Sequence, residues 1–530
     1  MEQQVTILLQ TIEDQKATIA TLSEKYKKEV EGLNARIKEL MAQVAYLNRQ
    51  LFGRKAERLP DYNPAQLNLF AEQFAEDQKV AEQKCDEAVA KIVKEVPAGR
   101  KRKRQNRKMM EDLPVLKETV IDVEDIDLTV YRKIGEEVTK KLRHQPGKLY
   151  VEKVIRIKYG LIDNTHIPAD GSKGVRIAPM PLMPIYKCMA DADVLAEILL
   201  QKYEYHIPFY RQIQQFAHLG LKGLQPNTLN DWFKGSVELL RPLYGALKKE
   251  TMNCDYCQAD ETTVPVINHQ KQKAAKEYLW MVRSVMRRLV FFHYDNGSRA
   301  GTVIEALAKE YNFKGYLQCD GFKGYETAFK GNANVTLVNC MAHIRRYFER
   351  ALDENRAGAE KMLANIQSLY KLERLCDEKG LSADERMEKR QELAKPIMEA
   401  MKTWMEGDGM KYSPSSLIGK AVTYAYTRWD NMMRYLEDGR LRIDNNLAEN
   451  AIRPVTLGRK NYLFCGNHEA ADNMAVICSL LATCKAQDVN PRDYLISALS
   501  DMPYHKNATH EQLVVLLPHK WKERHTQSEQ

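Results

Sequence analysis

Three acidic residues occupy segments whose composition suits chemistry. Asp260 lies in "QADETTVPV", an otherwise β-branched run, and Asp320 in "LQCDGFKGY", where a strand pattern meets glycine. Glu449 stands among three asparagines in "LRIDNNLAENAIRP". Carboxylates brought together in a partly desolvated place repel one another, and a divalent cation is the usual compensation. Hard oxygen donors and phosphate-bearing substrates select Mg²⁺, or Mn²⁺ in its place. A third acid would complete a two-ion site. Glu261, next to Asp260, should point to the opposite face of a strand. Asp255 lies too early, and Asp444 suits the cap of a helix with Leu447, Ala448, Ala451 and Ile452 on its apolar side and a boundary at Pro454.

The elements that must position these acids are legible from residue 254 onward. "CDYCQADETTVPV", "EYLWMVRSV" and "RLVFFHYD" read as three strands of an antiparallel meander. A helix follows at "SRAGTVIEALAKEY", then a strand at "GYLQCDGF", a short helical piece from Tyr325 to Phe329, a strand at "NVTLVNC" and a helix from Met341. This order matches a ribonuclease H-like α/β core: a mixed five-stranded sheet with helices on both faces. In that topology the first and fourth strands are neighbours, so Asp260 and Asp320 sit side by side. Glu449 is the candidate third ligand although it follows Asp320 by 129 residues. Helical material over 358–435 reads as an insertion that hides the relationship.

The formal charge of +9 leans toward an anionic partner. Ten scattered cysteines and an N-terminus without a basic flank and apolar core point to a reduced cytosolic (cytoplasmic) protein. No apolar run is long enough to cross a membrane, so no membrane partner is expected.

From Val5 to Leu51 apolar residues alternate in steps of three and four. This is a heptad seam, read as a coiled coil that forms a homodimer contact or folds back as a hairpin. The basic run Arg100, Lys101, Arg102, Lys103, Arg104 is either a solvated linker or a non-specific phosphate contact. "YRQIQQFAHLGLKGLQPNTLNDWFKGSVELL" has a helix-turn-helix pattern whose second helix opens at Pro226, Asn227 and Thr228. An ordinary pair of core helices gives the same periodicity.

The expected organisation is a coiled coil over 1–55, a helical segment and basic linker over 56–110, and a small β-rich domain over 111–180. A helix-turn-helix-like DNA-binding region follows over 181–250. The ribonuclease H-like domain takes 251–357 and 436–475, interrupted by the helical insertion 358–435, and a helical region closes the chain over 476–530.

Around the acids, Cys340 and His343 share a helix face and form half a zinc site or hydrogen-bonded packing beside the acids. Cys254 and Cys257 make a lone Cys-x-x-Cys, a metal or redox signal or part of a buried strand. Arg345, Arg346, Arg453, Arg459 and Lys460 could contact phosphate, with an ion pair to Glu449 the other reading for Arg453. Asn445 and Asn446, one turn before Glu449, could orient it or touch DNA. Trp429 and Tyr435 fit either base stacking or core.

Longer segments carry a resemblance. "LFGRKAERL", "RKIGEEVTKKLRHQPGKLYVEKVIRIKYG", "HIPFYRQIQQFAHLGLKGLQPNTLNDWF", "QADETTVPV", "LQCDGFKGY", "CMAHIRRYF" and "LRIDNNLAENAIRPVTLGRKNYLFCGN" resemble, in family order, transposases of the insertion-sequence 66 family. The resemblance implies an Asp-Asp-Glu triad at Asp260, Asp320 and Glu449, holding two Mg²⁺ (or Mn²⁺) ions per active site. It implies cutting of transposon-end DNA and joining to target DNA, in a homodimer or higher synaptic assembly, with small accessory proteins of the same element. A metal-dependent nuclease of the same fold and a catalytically dead DNA-binding descendant are the alternatives. One departure matters: the family's cysteine-rich zinc module should fall near "VEDIDLTVYRKIGEEV" and "IKYGLIDNT", which contain no cysteine, so structural zinc is not expected.

Overall fold

The computed structural model describes residues 115–123, 131–145, 147–161, 175–268 and 273–528. The expected coiled coil, the helical segment and the basic run from Arg100 to Arg104 lie outside the described residues.

The first described elements are β1 (Val115–Ile121), β2 (Tyr131–Gln145), β3 (Lys148–Leu161) and the short β4 (Arg176–Ile177). They form one sheet in the order β1-β3-β2, with β4 on β3. Helices α1 (Ala192–Tyr203), α2 (Phe209–His218) and α3 (Pro226–Met252) follow. Helix α3 opens at Pro226, whose missing N–H costs nothing at a helix start. It continues for 27 residues and buries Trp232, Phe233, Val237, Leu240, Leu243 and Leu247. Its Tyr244 hydroxyl donates to the Phe292 carbonyl at 2.8 Å, so the helix is built into the main core. Asn227, in its first turn, stays exposed and Thr228 is half-buried.

The main sheet contains β5 (Tyr256–Asn268), β6 (Lys273–Ser284), β7 (Leu289–His293), β8 (Gly315–Cys319) and β9 (Val335–Asn339), in the order β7-β6-β5-β8-β9. The meander β5-β6-β7 is antiparallel, and β8 and β9 run parallel to β5. Helix α4 (Thr302–Glu310) links β7 to β8, α5 (Lys323–Ala328) links β8 to β9, and α6 (Met341–Arg350) follows β9. Order and directions are consistent with a ribonuclease H-like core. Pro265 is tolerated in the central strand because it lies past the end of β8; its carbonyl accepts from Cys465 N–H at 2.8 Å instead.

Next come α7 (Arg356–Glu378), α8 (Ala383–Lys389), a π-helical turn at Arg390–Ala394, α9 (Lys395–Glu406), α10 (Leu417–Tyr426) and α11 (Trp429–Met433). These helices have their own apolar core, including Met362, Ile366, Met398, Met401 and Trp404, which reaches the sheet through Tyr256 and Val338. Trp429 and Tyr435 are 1% and 0% exposed inside it, so they are packing residues.

The chain returns through α12 (Asn446–Tyr462) and ends in α13 (His468–Ala486), α14 (Pro491–Asp501), α15 (His510–Val515) and α16 (Pro518–Ser528). Helix α12 corrects the boundary expected at Pro454: it runs straight through the proline. The proline removes one intrahelical hydrogen bond. Burial of Ala448, Ile452, Val455 and Gly458 along one face holds the helix regardless. Helix α13 seals the outer edge of β7. Ser479 Oγ accepts from Phe292 N–H at 2.8 Å, and Thr483 Oγ1 accepts from Val290 N–H at 3.1 Å and donates to its carbonyl at 2.8 Å. An edge closed in this way cannot pair with a foreign strand.

Candidate active site

The register of β5 against β8 pairs Gln258 with Gln318. Asp260 and Asp320 each lie two residues further on, so the two acids leave the sheet at the same level. Asp260 Oδ1 accepts the N–H of Glu261 at 2.8 Å, and Asp320 Oδ1 accepts the N–H of Phe322 at 2.8 Å. Glu261 turns elsewhere: it pairs with Arg299 at 2.9 Å and accepts from the Tyr325 hydroxyl at 3.2 Å.

Glu449 reaches this place because the segment before it is pinned to the sheet. Gln258 Nε2 donates to Gln318 Oε1 at 2.8 Å and to the Asp444 carbonyl at 3.1 Å. Gln318 Nε2 donates to the Arg442 carbonyl at 2.7 Å, and Arg442 N–H donates to the Tyr256 hydroxyl at 3.0 Å. Asn445 Nδ2 donates to the Ala259 carbonyl at 3.2 Å, while its N–H meets Cys340 Sγ at 3.1 Å. Cys340 thus serves as a buried acceptor at the start of α6. Buried amides of this kind are costly unless satisfied, so the network specifies one arrangement. Asp444 acts where a cap was expected but one residue before the N-cap, Asn445: it accepts the N–H of Asn446 at 3.1 Å and the Tyr370 hydroxyl at 2.9 Å. Asn446 turns its side-chain amide back to Asp444 at 2.7 Å.

A second network fixes the same segment from the helical side. Arg390, fully buried, binds Glu373 at 2.8 and 2.7 Å and donates to the carbonyls of Tyr435, Asp438 and Leu441 at 2.9, 2.9 and 2.8 Å.

The electrostatics follow from the crowding. Burial pushes the Asp260 carboxyl well above the usual range, and the charges of Asp320, Glu261 and Glu449 push it further. His343 Nε2 lies 3.8 Å from Glu449 Oε1, and Arg346 Nη2 lies 3.7 Å from Glu449 Oε2. Burial lowers the His343 pKa, with the Glu449 charge opposing. Glu449 Oε1 and Asn445 Oδ1 are buried without hydrogen-bond partners. All the donors are hard oxygens under mutual repulsion, so the set fits Mg²⁺ or Mn²⁺ chemically. It is not drawn up to ligand spacing: among the described residues no three His, Cys, Asp or Glu side chains close on one point. Glu449 leans toward Arg346 and His343.

The sheet, with two aspartates at matched positions and a glutamate delivered by a later helix, is what the comparisons with known proteins bear on. Residues 187–473, more than half of the chain, match the family described as Transposase IS66 family. The chain belongs to that family. Residues 39–117 of this IS66-family transposase also match the family described as Transposase C of IS166 homeodomain. Three curated relatives come from Sinorhizobium fredii (strain NBRC 101917 / NGR234). Uncharacterized protein y4jD is 27% identical over 94% of this chain and 98% of its own length. Uncharacterized protein y4qI is 29% identical over 88% and 86%, and Uncharacterized protein y4hP 28% over 74% and 71%.

The other sequence candidates fall in different places. In the IS66-family chain Arg345 pairs with Glu349 at 2.8 Å, and Arg459 is bound to the carbonyl and hydroxyl of Thr263 on β5. Arg453 is half-buried one turn beyond Glu449, and Lys460 is exposed. Among the described residues no helix is long and apolar enough to cross a membrane. Sequence reasoning missed Gln258 and Gln318, although a signal existed: both acids are preceded at the same spacing, "QAD" and "QCD". It also missed Tyr370, Tyr424 and Arg428, which look like ordinary helix residues until the helices are packed.

Proposed function

We propose that Asp260, Asp320 and Glu449 hold the divalent ions of a DNA transposase that hydrolyses phosphodiester bonds at transposon ends and joins the freed 3′-hydroxyl to a target phosphate by transesterification, the target strand's own 3′-oxygen leaving. The observation that supports this reading is the matched placement of Asp260 and Asp320 just beyond the Gln258–Gln318 pair on adjacent strands, where burial first, and then the charges of Asp320, Glu261 and Glu449, disfavour the Asp260 carboxylate. The buried amides of Gln258, Gln318 and Asn445 tie the segment that leads into Glu449 to the strands that carry the two aspartates.

Bound Mg²⁺ or Mn²⁺ supplies activation of the attacking oxygen and neutralises the leaving one. The chain's residues do the rest. Asp260 and Asp320 present carboxylate oxygens from adjacent strands, and Glu449 presents a third set from the first turn of α12. Arg346, held near Glu449, can exchange that contact for a phosphate oxygen of the incoming strand, with Arg453 one turn further along to extend the grip. The chemistry needs no covalent intermediate with the protein.

Incubation with end-containing DNA and Mg²⁺ should yield cleaved and joined products, and Asp260→Asn, Asp320→Asn and Glu449→Gln should each lower the rate by at least about 10³-fold, as expected for loss of a metal-holding group. Full cleavage by these variants would refute the assignment. Nicked DNA without joined products would reduce the activity to that of a nuclease.

A further inference from the structure

The turn that carries Asp320 is held from outside the sheet. Strand β8 ends at Cys319, so residues 320 to 322 have no ladder to fix them. Helix α10 and the residues after it supply the missing partners. The Tyr424 hydroxyl donates to the Asp320 carbonyl at 2.6 Å, and Arg428 donates to the Gly321 carbonyl through Nε at 3.0 Å and Nη2 at 2.8 Å. Tyr424 is itself clasped: its ring stacks on Tyr347 of α6 at 4.1 Å and 17°, and the Arg428 guanidinium lies over the ring, 4.1 Å from its centroid. Gly321 makes the approach feasible. It adopts φ +85°, and a Cβ there would come within 2.6 Å of Arg428 Nε.

We propose that Tyr424 and Arg428 are positioning residues for Asp320. With Oδ1 tied to Phe322 N–H and the two following carbonyls clamped, the peptide planes around Asp320 are fixed, and so is the direction in which Oδ2 is aimed. A carboxylate on a free loop could meet a cation too, but it would first lose its conformational freedom. The helical block between α6 and α12 therefore prepares one ligand through Tyr424 and Arg428, and delivers another, Glu449, through its return segment. The inference rests on the reading of Asp320 as a metal ligand.

The test uses the full-length chain. Tyr424→Phe removes only the hydroxyl and keeps the ring stack, while Arg428→Gln removes the two-pronged contact. Melting temperature is followed as Mn²⁺ is titrated without DNA, beside cleavage rates at varied Mg²⁺. The expected result is a metal midpoint raised by about tenfold in both variants, the low end of what loss of an outer hydrogen-bond partner costs, with the metal-free melting temperature of Tyr424→Phe unchanged. Cleavage by the variants should recover at saturating metal, a shift in metal requirement that loss of folding would not produce. Asp320→Asn separates the two claims. If it abolishes the response to Mn²⁺ while Tyr424→Phe titrates as the parent does, the clamp has no positioning role and the active site stands. If Asp320→Asn itself responds normally, the metal-ligand reading falls and the inference with it.

Discussion

At Asp260 the folded protein works against its own charge. The carboxyl pKa lies well above the usual 3.8, first through burial and then through Asp320, Glu261 and Glu449. A raised folded pKa means that the native chain binds this proton more tightly than the unfolded chain, so the group's contribution to stability falls as pH rises from 3.8 through the folded value. Asp260→Asn should then melt higher than the parent at pH 7.5, by on the order of 1–2 °C for a chain of this size, with the gap closing toward pH 4; a lower melting point at pH 7.5 would contradict the crowding. Cys254 shows the opposite perturbation. Its Sγ lies 3.3 Å from Cys257 Sγ, and the hydrogen bond from that thiol, with burial opposing, brings it down to about 7. Limiting iodoacetamide at pH 7.5 should label Cys254 before any other of the nine described cysteines, all free thiols, and peptide mapping decides it. Asp260 stood out as a candidate in the sequence because a carboxylate in a β-branched strand needs a reason. The thiol contact could not, since Cys-x-x-Cys spacing says nothing about which turn brings the sulfurs together.

The helices between α6 and α12 hold the return segment through one fully buried guanidinium. Arg390→Met would leave Glu373 buried beside Arg386 alone and orphan the carbonyls of Tyr435, Asp438 and Leu441. The expected loss is about 3–5 kcal/mol, as for a buried pair deprived of one partner. A urea midpoint shift corresponding to less than about 1 kcal/mol would show that water replaces the guanidinium. Elements of the sheet were legible because "EYLWMVRSV" and "RLVFFHYD" combine strand formers with clear breaks. Helix α12 was misjudged at Pro454 for the converse reason: local propensity ends the helix there, and tertiary burial of Ile452 and Val455 overrides it. The length of α3 was hidden likewise, because a recognition helix and a core helix share one periodicity until Tyr244 and Phe292 are seen to meet.

For the molecule as a whole, acid is the expected route to unfolding. Burial, helped by Lys248, lowers His293 from 6.5 to about 4, and burial also lowers His206 and His519. These depressed values mean that the unfolded chain takes up protons below pH 6.5 that the native chain refuses, so stability is present above that pH and is lost as pH falls toward 4. His293 alone accounts for up to about 3 kcal/mol at the lower end, and His293→Gln should flatten the fall in melting temperature between pH 6.5 and 4.5. The global topology was readable from element order. The closing of three distant segments was not, because it depends on Gln258, Gln318 and Arg390 finding carbonyls of residues 435–444 far along the chain. That dependence sets a timetable for synthesis. Asp260 and Asp320 leave the ribosome long before the residues that complete their surroundings, and Glu449 cannot be seated until its return segment has been translated and captured. On the proposed reading a chain interrupted before that segment is chemically silent, and the power to cut DNA arrives only once Glu449 has been made and seated.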